Sequence, residues 1–531
     1  MKSTEINNLQ YKNSDQKLTV INAQLHKTIT QQSSKIQSLE NQLNWFKRQI
    51  FGEKSEKRDM TDNPYQQTIA ELLQDLPEVP VDDKEEKQTI SYQRGKAKKN
   101  ALEGSPDDSG LRFDDTVPVE EIELTAPELE GPDADDYEII SYKTTYRLAE
   151  RPGSSVILKY TRPVIKKKSS QQLITMPAPD NVLEKSCADV SFLVGMLIDK
   201  FLYHLPLYRQ HQRLEQNGIV LARSTLTNLC KRSINLLAPI YQAQLQQILM
   251  SRVLAMDETP IKAGRKKKGK MQSAYFWPIY GEKDEVCFTF SKSRGMQHIL
   301  EQLGDFDGTL VTDGYGAYEK FNKKNKALTH AQCWVHTRRY FEKAKDAEPE
   351  ASAIALAYIG RLYEFERHIR DKNISDQKKF AYRSKNSSEV VDTFFAWCYE
   401  QRQRIDLVKS NPFSVALAYA MKRQHELKVF LSDPDVPLDT NHLERALRVI
   451  PMGRRNWLFC WTEAGAEQVG IIQSLLVTCK LHNVNPYDYL VDVLQRISTH
   501  PGSRVEELTP RRWKELFADN PLRSDLYHHG H

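Results

Sequence analysis

Cysteine is scarce in this chain: there are seven among 531 residues, the first is Cys187, and none stands at paired spacing. That pattern excludes a disulfide framework and offers no four-cysteine zinc site. The N-terminus is polar and no apolar stretch approaches membrane-spanning length, so neither a secretory signal nor a spanning helix is expected. A reducing, cytoplasmic location is the corresponding expectation. Charge of one sign is not in large excess either. The formal net charge of +5 is too small to demand a nucleic-acid partner. Its distribution says more, because basic runs recur at Lys166–Lys168, Arg265–Lys268, Lys323–Lys324 and Arg454–Arg455. Such runs either neutralise phosphates or solvate a loop.

What is present is an ordinary globular composition, 40% hydrophobic and 27% charged. The chain is too long for one core, and two to four domains are expected. A heptad seam opens it: Leu18, Asn22, Leu25, Ile29, Gln32, Ile36, Leu39, Leu43, Phe46 and Ile50 alternate spacings of four and three. Two helices bury a shared stripe at that period, and the polar Asn22 and Gln32 on it set register. Residues 14–57 are therefore expected to form a coiled coil that pairs protomers. From about Asp59 to Asp136, Pro, Asp, Glu and Lys dominate, so 58–136 is expected to be a partly disordered linker. β-favouring runs at Tyr137–Tyr146 and Val156–Tyr160 flank Arg151-Pro152-Gly153, the pattern of a small hairpin module within 137–180.

Residues 181–250 carry helical periodicity. Apolar positions run through Phe192 to Phe201 and Leu207 to Leu214, Asn217-Gly218 supplies a turn, and Ser224 is a candidate cap for a third helix. The order suggests a helix-turn-helix with Thr225, Thr227, Asn228, Lys231 and Arg232 facing DNA. Packed helical pairs of other kinds share that pattern.

Strands follow. Val253-Leu254-Ala255-Met256 ends at Asp257, two β-type segments (Ala274–Tyr280 and Val286–Phe290) come next, and Gly308–Thr312 ends at Asp313. Strand, hairpin, strand, strand is the order of an RNase H-like sheet, in which the first and fourth strands are neighbours and would bring Asp257 and Asp313 together. Paired carboxylates repel unless a divalent cation lies between them. Hard oxygen ligands suit Mg²⁺, and two such ions activate a water or 3′-hydroxyl while stabilising the leaving oxygen. A third acid is expected from a helix: Asp439-Thr440-Asn441 offers caps, Glu444 lies in the first turn, and Pro451 and Gly453 are expected to stop the helix. The gap from Asp313 to Glu444 is too long for a bare core, and residues 341–435 read as a helical insertion between 251–340 and 436–495. Residues 496–531 read as a tail, with His528, His529 and His531 at its frayed end.

These acids stand in specific motifs. Asp257-Glu258-Thr259-Pro260, Thr312-Asp313-Gly314-Tyr315 and Asn441-His442-Leu443-Glu444-Arg445-Ala446-Leu447-Arg448 resemble the three acidic motifs of insertion-sequence-66 family transposases. The run Gly453 to Phe459, the run Phe51 to Lys57 and the segment His204 to Gln210 also match that family, in order. The resemblance implies a DNA transposase that cleaves and joins strands at transposon ends, with Asp257, Asp313 and Glu444 as a catalytic, metal-binding triad. It implies two Mg²⁺ ions, with Mn²⁺ as a substitute, and as partners DNA (terminal inverted repeats and target), a second copy of the chain and accessory proteins of the same element. Family members commonly carry a paired-cysteine zinc module after the coiled coil; this chain has no Cys before Cys187, so no zinc is expected there. Cys333-Trp334-Val335-His336 resembles a C-x-x-H signature found beyond the second Asp in several transposase groups. It implies a structural or DNA-positioning role for His336. Arg338, Arg339, Arg448, Arg454 and Arg455 are candidate phosphate contacts alongside Lys231 and Arg232. Trp457 either stacks on an unpaired base or packs in the core.

The expected fold is thus α+β and multidomain: an RNase H-like core with a helical insertion, preceded by a coiled coil, a β module and a helix-turn-helix-like region. A structure-selective nuclease and a non-catalytic DNA-binding relic are the rival functions. Action on DNA places the expected enzyme at the bacterial nucleoid.

Overall fold

The computed structural model describes residues 103–104, 111–151, 154–267, 270–457, 460 and 462–528, with isolated helical positions between 22 and 43. The seam residues Leu25, Ile29, Ile36 and Leu43 are among those positions and each is more than half exposed. The rest of the expected coiled coil, most of the expected linker up to residue 110, and His529 and His531 at the terminus lie outside the described residues. No helix among the described residues is long and apolar enough to cross a membrane.

The last part of the expected linker, after residue 110, is folded. β1 (Glu103–Gly104) pairs with β2 (Arg112–Phe113), and β3 (Val119–Glu123) lies parallel to β5 (Ser154–Lys167). The apolar residues here are few, yet Leu111, Phe113, Val117 and Ile122 are all buried. Composition suggests disorder, but each sparse anchor finds a partner far along the chain. β4 (Tyr137–Arg151) and β5 make a long antiparallel hairpin that extends to Lys167 and carries β6 (Leu173–Thr175).

Asp189 caps α1 (Val190–Phe201), its Oδ1 accepting the Ser191 N–H at 2.8 Å. α2 (Leu207–Gln216) and α3 (Arg223–Leu236) flank a turn at Asn217-Gly218 and the short β7 (Ile219–Val220). Gly218 has φ +77, and a Cβ there would press into the Asp114 carboxylate. α3 starts one residue before Ser224, so Ala222 occupies the cap position and Ser224 caps nothing, contrary to expectation. α4 (Ala238–Leu249) leads into the central sheet.

β8 (Val253–Met256), β9 (Thr259–Lys267), β10 (Lys270–Tyr280), β11 (Val286–Ser291), β12 (Thr309–Thr312) and β13 (Thr329–Gln332) form one sheet in the order β11-β10-β8-β12-β13, with β9 also against β10. β8, β12 and β13 are parallel, and β10 is antiparallel to β8, β9 and β11. β8 and β12 are wholly buried, as continuous apolar strands between helical layers should be. Alternation sorts their side chains. Leu254, Met256 and Leu310 face one core with Trp277, Tyr318 and Phe321, under α5 (Met296–Leu303) and α6 (Gly316–Lys324). Ala255, Val311 and Ala331 face the other, under α7 (Trp334–Ala344) and its neighbours.

The expected insertion is helical throughout: α8 (Pro349–Asp371), α9 (Asp376–Arg402), α10 (Pro412–Lys422) and α11 (Gln424–Ser432). Its hub is Arg383, fully buried, which pairs with Glu366 and donates to the carbonyls of Phe430 and Val436 at 2.8 and 2.9 Å. The chain then returns through α12 (Asn441–Leu447), α13 (Val449–Trp457), α14 (Glu463–Leu481), α15 (Pro486–Arg496) and α16 (Pro510–Leu516) to α17 (Asp525–His528). Pro451 and Gly453 do not stop a helix, as expected of them; they lie inside α13. Pro451 sits in the first turn, where its missing N–H leaves no bond unmade. The stretch after 496 is no loose tail either. Trp513 and Leu526 are buried, and Asp525 accepts the Tyr160 hydroxyl at 2.7 Å, tying the C-terminus to the β module.

Candidate active site

The sheet delivers two carboxylates to one place. β8 and β12 are parallel neighbours, with Val311 opposite Ala255, so Asp257 and Asp313 leave the same end of adjacent strands. The ladder breaks there. Met256 pairs with Ile279 and Thr259 with Phe276, which sets Asp257 and Glu258 against Pro278 and Trp277. Pro278 has no N–H to donate, and the two acids interrupt what is otherwise a single line from β8 into β9.

At the interruption strict alternation lapses, and Asp257, Glu258 and Asp313 each offer a carboxylate oxygen within 4.8 Å of the others. Glu258 is not among the residues singled out from the sequence, where it stands only as part of the Asp257–Pro260 motif. Its side chain is only 2% exposed. Oε1 takes the Arg294 Nε–H at 2.9 Å and Oε2 the Tyr318 hydroxyl at 3.0 Å. Arg294 in turn lies 4.0 Å over the Tyr315 ring. Glu258 is thus a neutralised, anchored support. Among the described residues Asp257 and Asp313 have no such cation: Asp257 accepts the Glu258 N–H at 2.7 Å and Asp313 the Tyr315 N–H at 2.8 Å. Burial pushes the Asp257 carboxyl up to about 7, the charges of Glu258, Asp313 and Glu444 add to the rise, and the Glu258 N–H partly offsets it.

Glu444 stands at the edge of this cluster. The Arg339 guanidinium holds its Oε2, while Oε1 is buried, accepts no hydrogen bond and lies 3.9 Å from His336 Nε2. Burial holds His336 below the usual imidazole range against the opposing pull of Asp313.

Cys333 explains how α12 is placed. Its N–H donates to Thr312 O at 3.0 Å, beside Asp313, and its Sγ accepts both the N–H and the hydroxyl of Thr440 at 3.3 Å. Thr440 is the residue before α12, and the Trp334 N–H binds Leu438 O at 3.2 Å. The Cys-Trp pair therefore clamps the start of the Glu444 helix to the end of the sheet. His330, Cys333 and His336 do not share an ion. His330 Nε2 bonds Thr312 Oγ1 at 2.8 Å, and the three side chains serve three different partners.

The other singled-out residues scatter. Arg339 is bound to Glu444 and Arg338 pairs with Glu342 at 2.9 Å. Arg454 donates to Pro260 O, bracing β9 just beyond Asp257, whereas Arg448 and Arg455 are exposed. Trp457 folds back over Gly453, where a Cβ would lie 2.7 Å from the indole, so it is half-buried packing. On α3, Lys231, Thr227 and Asn228 are exposed, Thr225 is half-buried, and Arg232 donates to Glu184 O at 3.0 Å.

Comparison with known proteins agrees with this layout. The family model described as Transposase IS66 family matches residues 185–468, more than half of the chain, and the IS66 C-terminal element matches 474–511. The chain is 29% identical over 400 residues to the uncharacterized protein y4hP of Sinorhizobium fredii, covering 70% of this chain and 71% of that one. It is 25% identical over 393 residues to y4qI of the same organism, covering 71% and 72% respectively. The matched span holds both strand-end aspartates, Glu444 and the helical insertion between them, and the chain belongs to the IS66 transposase family.

Proposed function

We propose that this transposase is of the DDE type: it cleaves and joins DNA at transposon ends on an RNase H-like core, with Asp257, Asp313 and Glu444 holding two divalent cations, Mg²⁺ with Mn²⁺ as a substitute. The observation that carries the proposal is the pair of adjacent strand-end carboxylates, within 4.8 Å and with no ion-pair partner among the described residues. Two half-buried like charges at that distance are costly, and the cost is removed by a divalent ion. The unpartnered Oε1 of Glu444 fits a third ligand. The sheet order, with the antiparallel strand second, supports the RNase H-like assignment. Bound ions would supply Lewis acidity at the scissile phosphate and make a water or 3′-hydroxyl nucleophilic at neutral pH.

The chain's own groups do the positioning. Arg294 neutralises Glu258, so the cluster presents Asp257 and Asp313 as its free anionic oxygens. Arg339 orients Glu444, and Cys333 fixes the helix that carries it. The exposed Lys231, Arg448 and Arg455 are proposed phosphate contacts, with the helix pair α2–α3 on the terminal repeats. The exposed N-terminal seam is proposed to pair protomers, and accessory proteins of the same element are proposed partners. The test is strand cleavage and joining by purified protein with Mg²⁺ and labelled DNA carrying the gene-flanking ends. Nicked and joined products that vanish in Glu444→Gln are expected; an equally active variant would remove Glu444 from the triad.

A further inference from the structure

The helical insertion encloses a cavity of about 680 Å³ that none of the residues above accounts for. It opens between α7, the end of α9 and α10. Its lining includes the cations Arg402, Lys409, Lys422 and Arg423, and not one carboxylate. Glu319 lies outside the lining and pairs with Lys422 and Arg423 at 2.9 and 3.2 Å. Arg402 and Lys409 have no carboxylate partner among the described residues. The floor is apolar, with Val415 42% exposed at the opening. One wall is a rigid stack: Arg423 lies 3.9 Å over the Tyr419 ring, and Tyr419 stacks on Tyr340 at 4.1 Å.

This cavity adjoins the active site through Arg423. That side chain is 8% exposed, and its Nη2 donates to Gly314 O at 2.9 Å, one residue after Asp313. Its Nε is buried and has no hydrogen-bond partner. A Cβ on Gly314 would lie 2.5 Å from the Tyr419 hydroxyl and 2.7 Å from Arg423 Nε, so the catalytic loop rests directly on the cavity wall. An apolar floor with a cationic rim suits a ligand that is planar and apolar at one end and anionic at the other. The volume is that of a small-molecule site, not of a duplex groove.

We infer that this cavity takes an unpaired nucleotide of the DNA strand entering the active site, its base against the floor and its phosphate among Lys409, Arg402 and Lys422. A strand held there is drawn toward Asp313, with Arg423 as the link. The inference rests on the DNA strand-transfer reading, so its test uses binding alone, without divalent metal, and stands apart from cleavage.

Wild-type protein, Lys409→Glu and Val415→Trp are each titrated in EDTA with a blunt duplex and with a forked duplex carrying 2-aminopurine in its single-stranded arm. Both positions are exposed, so folding is not at stake. Wild type is expected to prefer the forked DNA and to change the 2-aminopurine fluorescence. Each variant is expected to lose roughly tenfold in forked-DNA affinity, the scale of one stacked base, while blunt-duplex affinity stays within about twofold for Val415→Trp. Free dAMP should compete only weakly. Unchanged forked binding in both variants, or an equal loss on both DNAs in Val415→Trp, overturns the cavity assignment while leaving the triad untouched. Tight dAMP binding without a forked-DNA preference makes it a free-nucleotide site instead. A wild-type protein that binds neither DNA removes both readings.

Discussion

Replacing Asp257 by Asn should stabilise the metal-free protein while abolishing its response to Mg²⁺. The sign follows from the direction of the shift. Burial holds the folded carboxyl at about 7, whereas in an unfolded chain it titrates near pH 4. A carboxyl whose folded value is raised costs stability above the unfolded value, and the cost grows until the pH passes the folded value. Metal-free wild type therefore keeps this group's full contribution at and below about pH 4 and loses it as the pH rises to about 7. About three pKa units at 1.36 kcal/mol each give a ceiling of about 4 kcal/mol. Local relaxation and water entry reduce it, and about 2 kcal/mol would raise the melting temperature by roughly 4–8 °C. Asn keeps the shape and removes the charge. The assay is thermal unfolding in EDTA at about pH 8 and about pH 5, followed by a Mg²⁺ titration. The variant should be the more stable at the higher pH, with the gap narrowing at the lower one. Mg²⁺ should raise wild type alone. A variant less stable than wild type at the higher pH, or equal stabilisation of both by Mg²⁺, would refute the argument that uncompensated charge defines this site.

Other outcomes follow from named contacts. Cys333→Ala leaves the Thr440 N–H and hydroxyl without an acceptor and should cost about 1–2 kcal/mol in denaturant unfolding; strand cleavage should slow with DNA affinity unchanged, and unaltered kinetics would end the clamp role. Arg383→Leu strands Glu366 and the carbonyls that Arg383 binds, those of Phe430 and Val436 most closely, and should cost about 3–5 kcal/mol. Arg383→Leu with Glu366→Leu should recover part of it, and a double variant no better than the single one contradicts the ion-pair account. Arg455→Ala should lower DNA affinity equally across sequences and reduce the salt slope by about 1; an unchanged slope shows that Arg455 touches no phosphate.

Much of the site was legible in the linear chain, because a buried strand writes itself as an apolar run and an acid at its end stands out. Val253–Met256 before Asp257 and Thr309–Thr312 before Asp313 are such runs, and the heptad spacing, the helical insertion and the family motifs are local patterns of the same kind. Other features depend on partners far along the chain, which no local pattern records. Glu258 joins the acids because Pro278, on another strand, leaves the ladder open beside it. Cys333 is a clamp because the insertion returns Thr440 to its sulfur. The stretch after residue 110 is ordered because its few apolar residues are buried in the folded chain, and the C-terminus is ordered because Asp525 reaches Tyr160. Arg338 and Arg339 looked like free cations, yet their carboxylates arrive from one helical turn away and from α12. Local apolar patterning alone marks which acids end the buried strands. Which charges are neutralised is set by the fold, because it depends on which residues the folded chain brings together: Arg294 with Glu258 across 36 positions and Arg339 with Glu444 across 105.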